Sequence, residues 1–130
     1  MLDLFKNIKT IAVVGLSDNP TKPSNEVARY LKSKGFTVIP VNPNLTEVLG
    51  LKAYPDLLSI PKEIKIDVVD IFRRSEEVLP HVLEAVERGD IQTIWLQEGI
   101  ENKKAEDYAR SKGLNFVCNF CIMKTHKKLA

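Results

Sequence analysis

The stretch VVGLSDNPTKPSNEV, residues 13–27, runs from an apolar segment into a polar loop and then into what reads as the first turns of a helix. Strand, loop and helix in that order form the phosphate-cradling unit of nucleotide-binding α/β proteins. The glycine string GxGxxG of dinucleotide folds is missing, however, and only Gly15 stands at the strand exit. Whether the stretch is such a unit depends on what surrounds it.

Working outward, nearly continuous apolar runs recur at residues 11–15, 37–41, 67–72, 93–97 and 115–118, as expected of strands covered on both faces. Between them Val27, Ala28 and Leu31 form one stripe at helical spacing. Val82, Leu83 and Val86 form a second, and Ala105, Tyr108 and Ala109 a third. Gly35, Gly89 and Gly113 follow these stripes, where a helix ends in a left-handed residue. Only residues 44–66 break the rhythm; LKAYPDLLSIP predicts a brief strand at 52–54 and one helical turn before Pro61. The whole predicts an α/β fold: an open doubly wound sheet, mainly parallel, of about five strands with helices on both faces, as one domain over residues 1–130.

Composition narrows the function. Nineteen basic and seventeen acidic residues are interspersed and leave a net charge of only +2, without the basic footprint of a nucleic-acid binder. No run of about 18 apolar residues suits a membrane span, and MLDLFKNIKT lacks the apolar core of a signal peptide. A soluble, cytoplasmic protein is expected. Two cysteines are too few for a disulfide framework.

Open α/β sheets bind ligands beyond the carboxyl ends of their strands, where strand order reverses. The five ends read GLSDNPTKPS (15–24), VNPN (41–44), FRRSEE (72–77), LQEG (96–99) and CNFC (118–121). The first offers Ser17, Lys22 and Ser24 beside a helix start pre-set by Pro23, which suits a diphosphate; by itself the loop fits equally well with Thr21 or Ser24 as an ordinary cap and Lys22 in solvent. At the second end Asn42 and Pro43 stand where NAD sites carry a ribose-binding acid, which disfavours NAD. PVNPN reads as a shelf for an adenine or as a plain turn. Arg73 and Arg74 are planar forks for a further phosphate, or else surface charges balanced by Glu76 and Glu77.

Taken in order, IAVVGLSDNPTKPSNEVARYLKSKGFTVIPVNP, YPDLLSIPKEIKIDVVDIFRRSEEV, IWLQEGIEN and CIMKTH resemble the stand-alone CoA-binding domain proteins, small relatives of the nucleotide-binding domain of the succinyl-CoA ligase α subunit. The resemblance covers nearly the whole chain. It implies a Rossmann-like sheet holding coenzyme A, with Gly15, Ser17, Lys22, Pro23 and Ser24 near the phosphates and Val41, Asn42 and Pro43 near the adenosine. It further implies Phe72, Arg73 and Arg74 beside the nucleotide, and Gln97, Gly99, Asn119 and Cys121 along the rest of the cleft. One departure is Phe120, where family members often carry a basic residue. The chemistry agrees: CoA differs from NAD by a 3′-phosphate and a thiol-ended arm, so its site wants positive charge and no ribose carboxylate.

The expected function is binding of CoA or an acyl-CoA without catalysis, in a module that stores, senses or presents it to a protein partner or as a homodimer. The alternative is a small NAD(P)-binding or C-x-x-C thiol redox protein using the same cleft. Cys118 and Cys121 form that motif. Cys118 also reads as a buried strand residue and Cys121 as a packing residue or as a thiol facing the ligand, where a mixed disulfide with CoA can form. Zinc lacks a full ligand set, since His81 falls on another helix. Trp95 reads as sheet packing, His126 as a core-edge or capping residue, and Glu98 and His81 as acid–base groups without a partner.

Overall fold

The computed structural model describes residues 3–129. Its strands follow one another as β1 (Thr10–Val14), β2 (Thr37–Val41), a short antiparallel pair β3 (Glu47–Val48) and β4 (Leu51–Lys52), then β5 (Val68–Ile71), β6 (Thr93–Leu96) and β7 (Asn115–Val117). The five principal strands pair in parallel in the order β2-β1-β5-β6-β7. Chain order therefore reverses between β1 and β5. The helices are α1 (Asp3–Lys6), α2 (Pro23–Ser33), α3 (Val78–Arg88), α4 (Lys103–Ser111) and α5 (Ile122–Leu129), with a 3-10 turn at Ser75–Glu77.

Alternation along each strand divides the core in two. Ala12, Val14, Val69, Ile71, Ile94 and Leu96 meet the apolar faces of α3 and α4. Ile11, Val13, Val68 and Trp95 meet those of α2 and α5. With both faces covered, the strands need no polar residues, and this is why they read as unbroken apolar runs. Trp95 is fully buried and its indole Nε1 donates to the Phe120 carbonyl at 2.8 Å, a packing role with its one polar atom satisfied.

Several local expectations need correction. The buried stripe of α3 is Val78, Val82 and Ala85, whereas Leu83 is exposed. The turn before Pro61 does not grow into a helix: Asp56 accepts from the Ser59 amide at 2.8 Å and its hydroxyl at 2.7 Å as a cap would, but a single turn bond from Ile60 to Leu57 follows before Pro61. The brief strand at 52–54 is split into β4 and a single bridge from Tyr54 to Val41. The last strand stops at Val117, before Cys118.

Asp70 interrupts the apolar pattern. It lies on the central strand, beside Val13 and Trp95 in register, fully buried, and neither carboxyl oxygen has a hydrogen-bond partner among the described residues. Burial pushes its carboxyl well above the usual carboxylate range. The folded chain thus holds a proton that the unfolded chain releases, so stability falls as pH rises from the unfolded value through the raised one, and stays low above it. We expect Asp70→Val, which keeps a strand-compatible shape, to stabilise the protein by about 1–3 kcal/mol at pH 7. In urea titrations the gain should shrink toward pH 4; an equal gain at both pH values would rule out ionisation of Asp70 as its source.

Candidate functional site

The reversal of strand order opens a cleft of about 750 Å3 above the carboxyl ends of the strands, in the size range of cofactor sites. At its base Gly15 leaves β1 with φ of +83°, and a Cβ there would lie 2.4 Å from the Phe72 carbonyl oxygen. Gly15 donates its amide to the Val41 carbonyl, and Phe72 donates to Val14. The one glycine kept in the first loop is therefore where backbone from β1 and β5 nearly touches.

Side chains lace each loop to its spatial neighbour. Asn42 Nδ2 donates to the Leu16 carbonyl at 3.1 Å, tying the second loop to the first, while Asn42 Oδ1 accepts from the Asn44 amide. Ser75 Oγ accepts from the Glu101 amide, and its carbonyl from Asn102 Nδ2, joining the third loop to the fourth. Asn119 Oδ1 accepts from the Gly99 amide at 2.6 Å and Gln97 Oε1 from the Ile122 amide at 3.1 Å, joining the fourth to the fifth. The rim is preorganised by hydrogen bonds that no ligand has to supply.

The first loop is shaped for an anion. Ser24 Oγ accepts from the Ser17 amide and Thr21 bonds Asn19, so neither caps α2; its N-cap residue is Lys22, which provides no side-chain cap. An uncapped helix N-terminus opening on Pro23 attracts negative charge. Lys22 lines the cleft and forms no ion pair among the described residues. Across the floor, Arg73 and Arg74 line the cleft beside Phe72; Arg73 pairs with Glu77 at 2.7 Å, and Arg74 lies 3.7 Å from the same carboxylate. His81 faces this group, and burial followed by the Arg73 charge pushes its pKa down.

Of the residues singled out in the sequence, Gly15, Ser17, Lys22, Pro23 and Ser24 line the cleft, as do Phe72, Arg73, Arg74, Gln97 and Cys121. Val41, Asn42, Pro43, Gly99 and Asn119 do not. Val41 is buried in β2, Pro43 lies exposed in the following turn, and Asn42 Nδ2 and Asn119 Oδ1 are bonded to neighbouring loops. The far wall holds residues that sequence reasoning missed: Ile100, Met123 and Lys124, with Lys124 bridged to Glu98 at 3.0 Å. For Met123 and Lys124 the signal was the start of α5 directly after Cys121, and for Ile100 its place in the loop that follows Gln97 and Glu98.

The cysteines part company. Cys121 belongs to the core on the α2 and α5 side, and Cys118 packs against the core on the opposite face of the sheet. Burial, then Glu106 and Glu101, push the Cys118 thiol up, away from the thiolate that redox chemistry uses. Among the described residues no group of three metal-ligating side chains comes together, and no helix is long and apolar enough to cross a membrane.

A parallel sheet whose strand order reverses beneath a cleft lined by Lys22, Arg73 and Arg74 is an α/β fold of the Rossmann-like class. The chain belongs to the CoA binding domain family, whose model matches residues 9–127. It is 39% identical over 124 residues to the uncharacterized protein YneT of Bacillus subtilis, covering 95% of this chain and 90% of that protein. It is also 32% identical over 141 residues to the alpha subunit of the ADP-forming acetate–CoA ligase II of Pyrococcus furiosus, spanning 99% of this chain but 30% of that subunit. Among solved structures, a hypothetical protein from Pyrococcus horikoshii superposes with a TM-score of 0.93 at 38% identity, covering 98% of this chain and 87% of that one.

Proposed function

We propose that the protein binds coenzyme A, free or as an acyl thioester, and performs no chemistry on it. The observation that carries this reading is the pairing of two separate cationic points in one cleft, in a chain of the CoA-binding family. Lys22 with the open end of α2 takes the diphosphate, Arg73 and Arg74 take the 3′-phosphate, and the arm runs past Gln97 toward Cys121. Gly15 supports this fit, because only a residue without a Cβ lets the exits of β1 and β5 approach closely enough to bring Lys22 and Arg73 to one cleft. Asn42 weighs against NAD: it is not an acid, and both ends of its amide are engaged. The module's use is to hold or present CoA to a partner, as the corresponding segment of a much longer ligase subunit would.

Calorimetry tests the reading directly: CoA is expected to bind more tightly than NAD, and the reverse order would remove it. A sharper expectation concerns Arg73→Ala. It should weaken CoA binding by about 1.5–3 kcal/mol, the scale of a charge-assisted hydrogen bond, and leave dephospho-CoA nearly unchanged. Equal losses for the two ligands would move Arg73 from the 3′-phosphate to the diphosphate or to a structural role.

A further inference from the structure

The two cationic points differ in one respect. Lys22 has no carboxylate partner among the described residues, whereas the arginine point is already filled by Glu77. Glu77 is the N-cap residue of α3, yet its side chain caps no amide. Its Oε2 instead lies 2.7 Å from the Arg73 guanidinium and its Oε1 3.7 Å from that of Arg74. All three side chains line the cleft. One carboxylate whose two oxygens face two adjacent guanidinium groups occupies the place a phosphate would take, since both anions present paired oxygens to planar forks.

We infer that Glu77 is an internal competitor for the ligand's terminal phosphate and thereby limits the affinity of the cleft for CoA. The inference rests on the CoA reading above. With the cleft empty, Glu77 offsets one of the two guanidinium charges, chiefly that of Arg73. A phosphomonoester, carrying close to two negative charges near neutral pH, displaces the singly charged carboxylate. A ligand without that group leaves the pair in place. The arginines therefore do not act as a general anion trap, and CoA binds less tightly than the bare guanidinium pair would allow.

The test is calorimetric titration of CoA and dephospho-CoA into wild type, Glu77→Gln, and Arg73→Ala with and without Glu77→Gln. Glu77→Gln should tighten CoA about fivefold, the upper range for release of a half-exposed ion pair, with less than a twofold change for dephospho-CoA. In the Arg73→Ala background the gain should largely disappear. Thermal melts check folding, and Glu77→Ser, which places a good capping residue at the same position, serves as the second variant. If wild type binds CoA but neither variant binds it more tightly, the inference falls and the CoA reading stands. Equal gains for both ligands would also overturn it, by showing a general charge effect. If wild type binds neither ligand, the CoA reading falls and takes the inference with it.

Discussion

Replacing Arg88 by Met is expected to cost about 3–5 kcal/mol of folding stability, the range for breaking a buried charge network from one side. Arg88 ends α3 with a side chain only 2% exposed. Its guanidinium donates to the carbonyls of Leu57, Ile60 and Ile64 at 3.1, 2.6 and 2.8 Å and to Asp90 at 3.0 Å. Those carbonyls have left regular structure; without the guanidinium the Leu57 carbonyl keeps only the Ile60 amide at 3.3 Å, and those of Ile60 and Ile64 lose the donor that satisfies them. Arg88→Lys should recover little of the loss, because a single ammonium cannot reach carbonyls spread around a planar fork. For Asp90, burial pushes its pKa up, but the Arg88 and Ile66 hydrogen bonds outweigh it and hold the carboxyl below its ordinary value. A depressed folded value gives stability that is present above the unfolded pKa and lost as pH falls through the folded one, so the gap between wild type and variant should narrow in acid. Urea unfolding at pH 7 and pH 3 measures both effects; a loss below 1 kcal/mol at pH 7 would show that the network is not needed. CoA affinity should be unchanged, since Arg88 lies at the end of α3 away from the cleft.

That network explains where the sequence was hardest to read. The five strands were legible because burial on both faces leaves a near-continuous apolar run, and α2, α3 and α4 because each has a stripe and a following glycine to mark it. Residues 44–66 have neither: the carbonyls of Leu57, Ile60 and Ile64 are bonded by a side chain 24 to 31 positions away, and no local pattern encodes such a bond. Asp70 was hidden for the opposite reason. Three apolar neighbours in VVDI read as strand whatever the fourth residue does, so the run said nothing of the unpartnered carboxyl within it.

Within the cleft the division is chemical. Lys22, Arg73 and Arg74 were legible because charges at strand ends of an α/β sheet have few structural duties. Asn42 and Asn119 are harder to read, because an amide side chain suits a ligand and a neighbouring backbone equally well, and here backbone groups engage Asn42 Nδ2 and Asn119 Oδ1. Glu77 was visible only as a charge to balance the arginines. Its place inside the cleft follows from the 3-10 turn at Ser75–Glu77, which brings the carboxylate back over Arg73.

Gly15→Ala should cost about 2–5 kcal/mol and abolish ligand binding, the second of the two largest effects expected here. Two costs add at this position. A φ of +83° is strained for any residue with a Cβ, by about 1–2 kcal/mol. The new Cβ would also meet the Phe72 carbonyl oxygen at 2.4 Å and Arg73 Cδ at 3.3 Å. Because the first obstacle is backbone on the central strand's exit, relief requires the first and third loops to part. Parting them moves Lys22 away from Arg73 and breaks the spacing between the two points proposed to grip the diphosphate and the 3′-phosphate. Gly35→Ala separates the two costs, since its φ of +93° is as unfavourable while nothing lies within 4 Å of the added Cβ. Gly35→Ala should therefore lose only about 1–2 kcal/mol and keep its CoA affinity. If Gly15→Ala is no less stable than Gly35→Ala, the close approach of β1 and β5 tolerates a side chain, and the bare backbone at the cleft floor is not what holds the two loops in place.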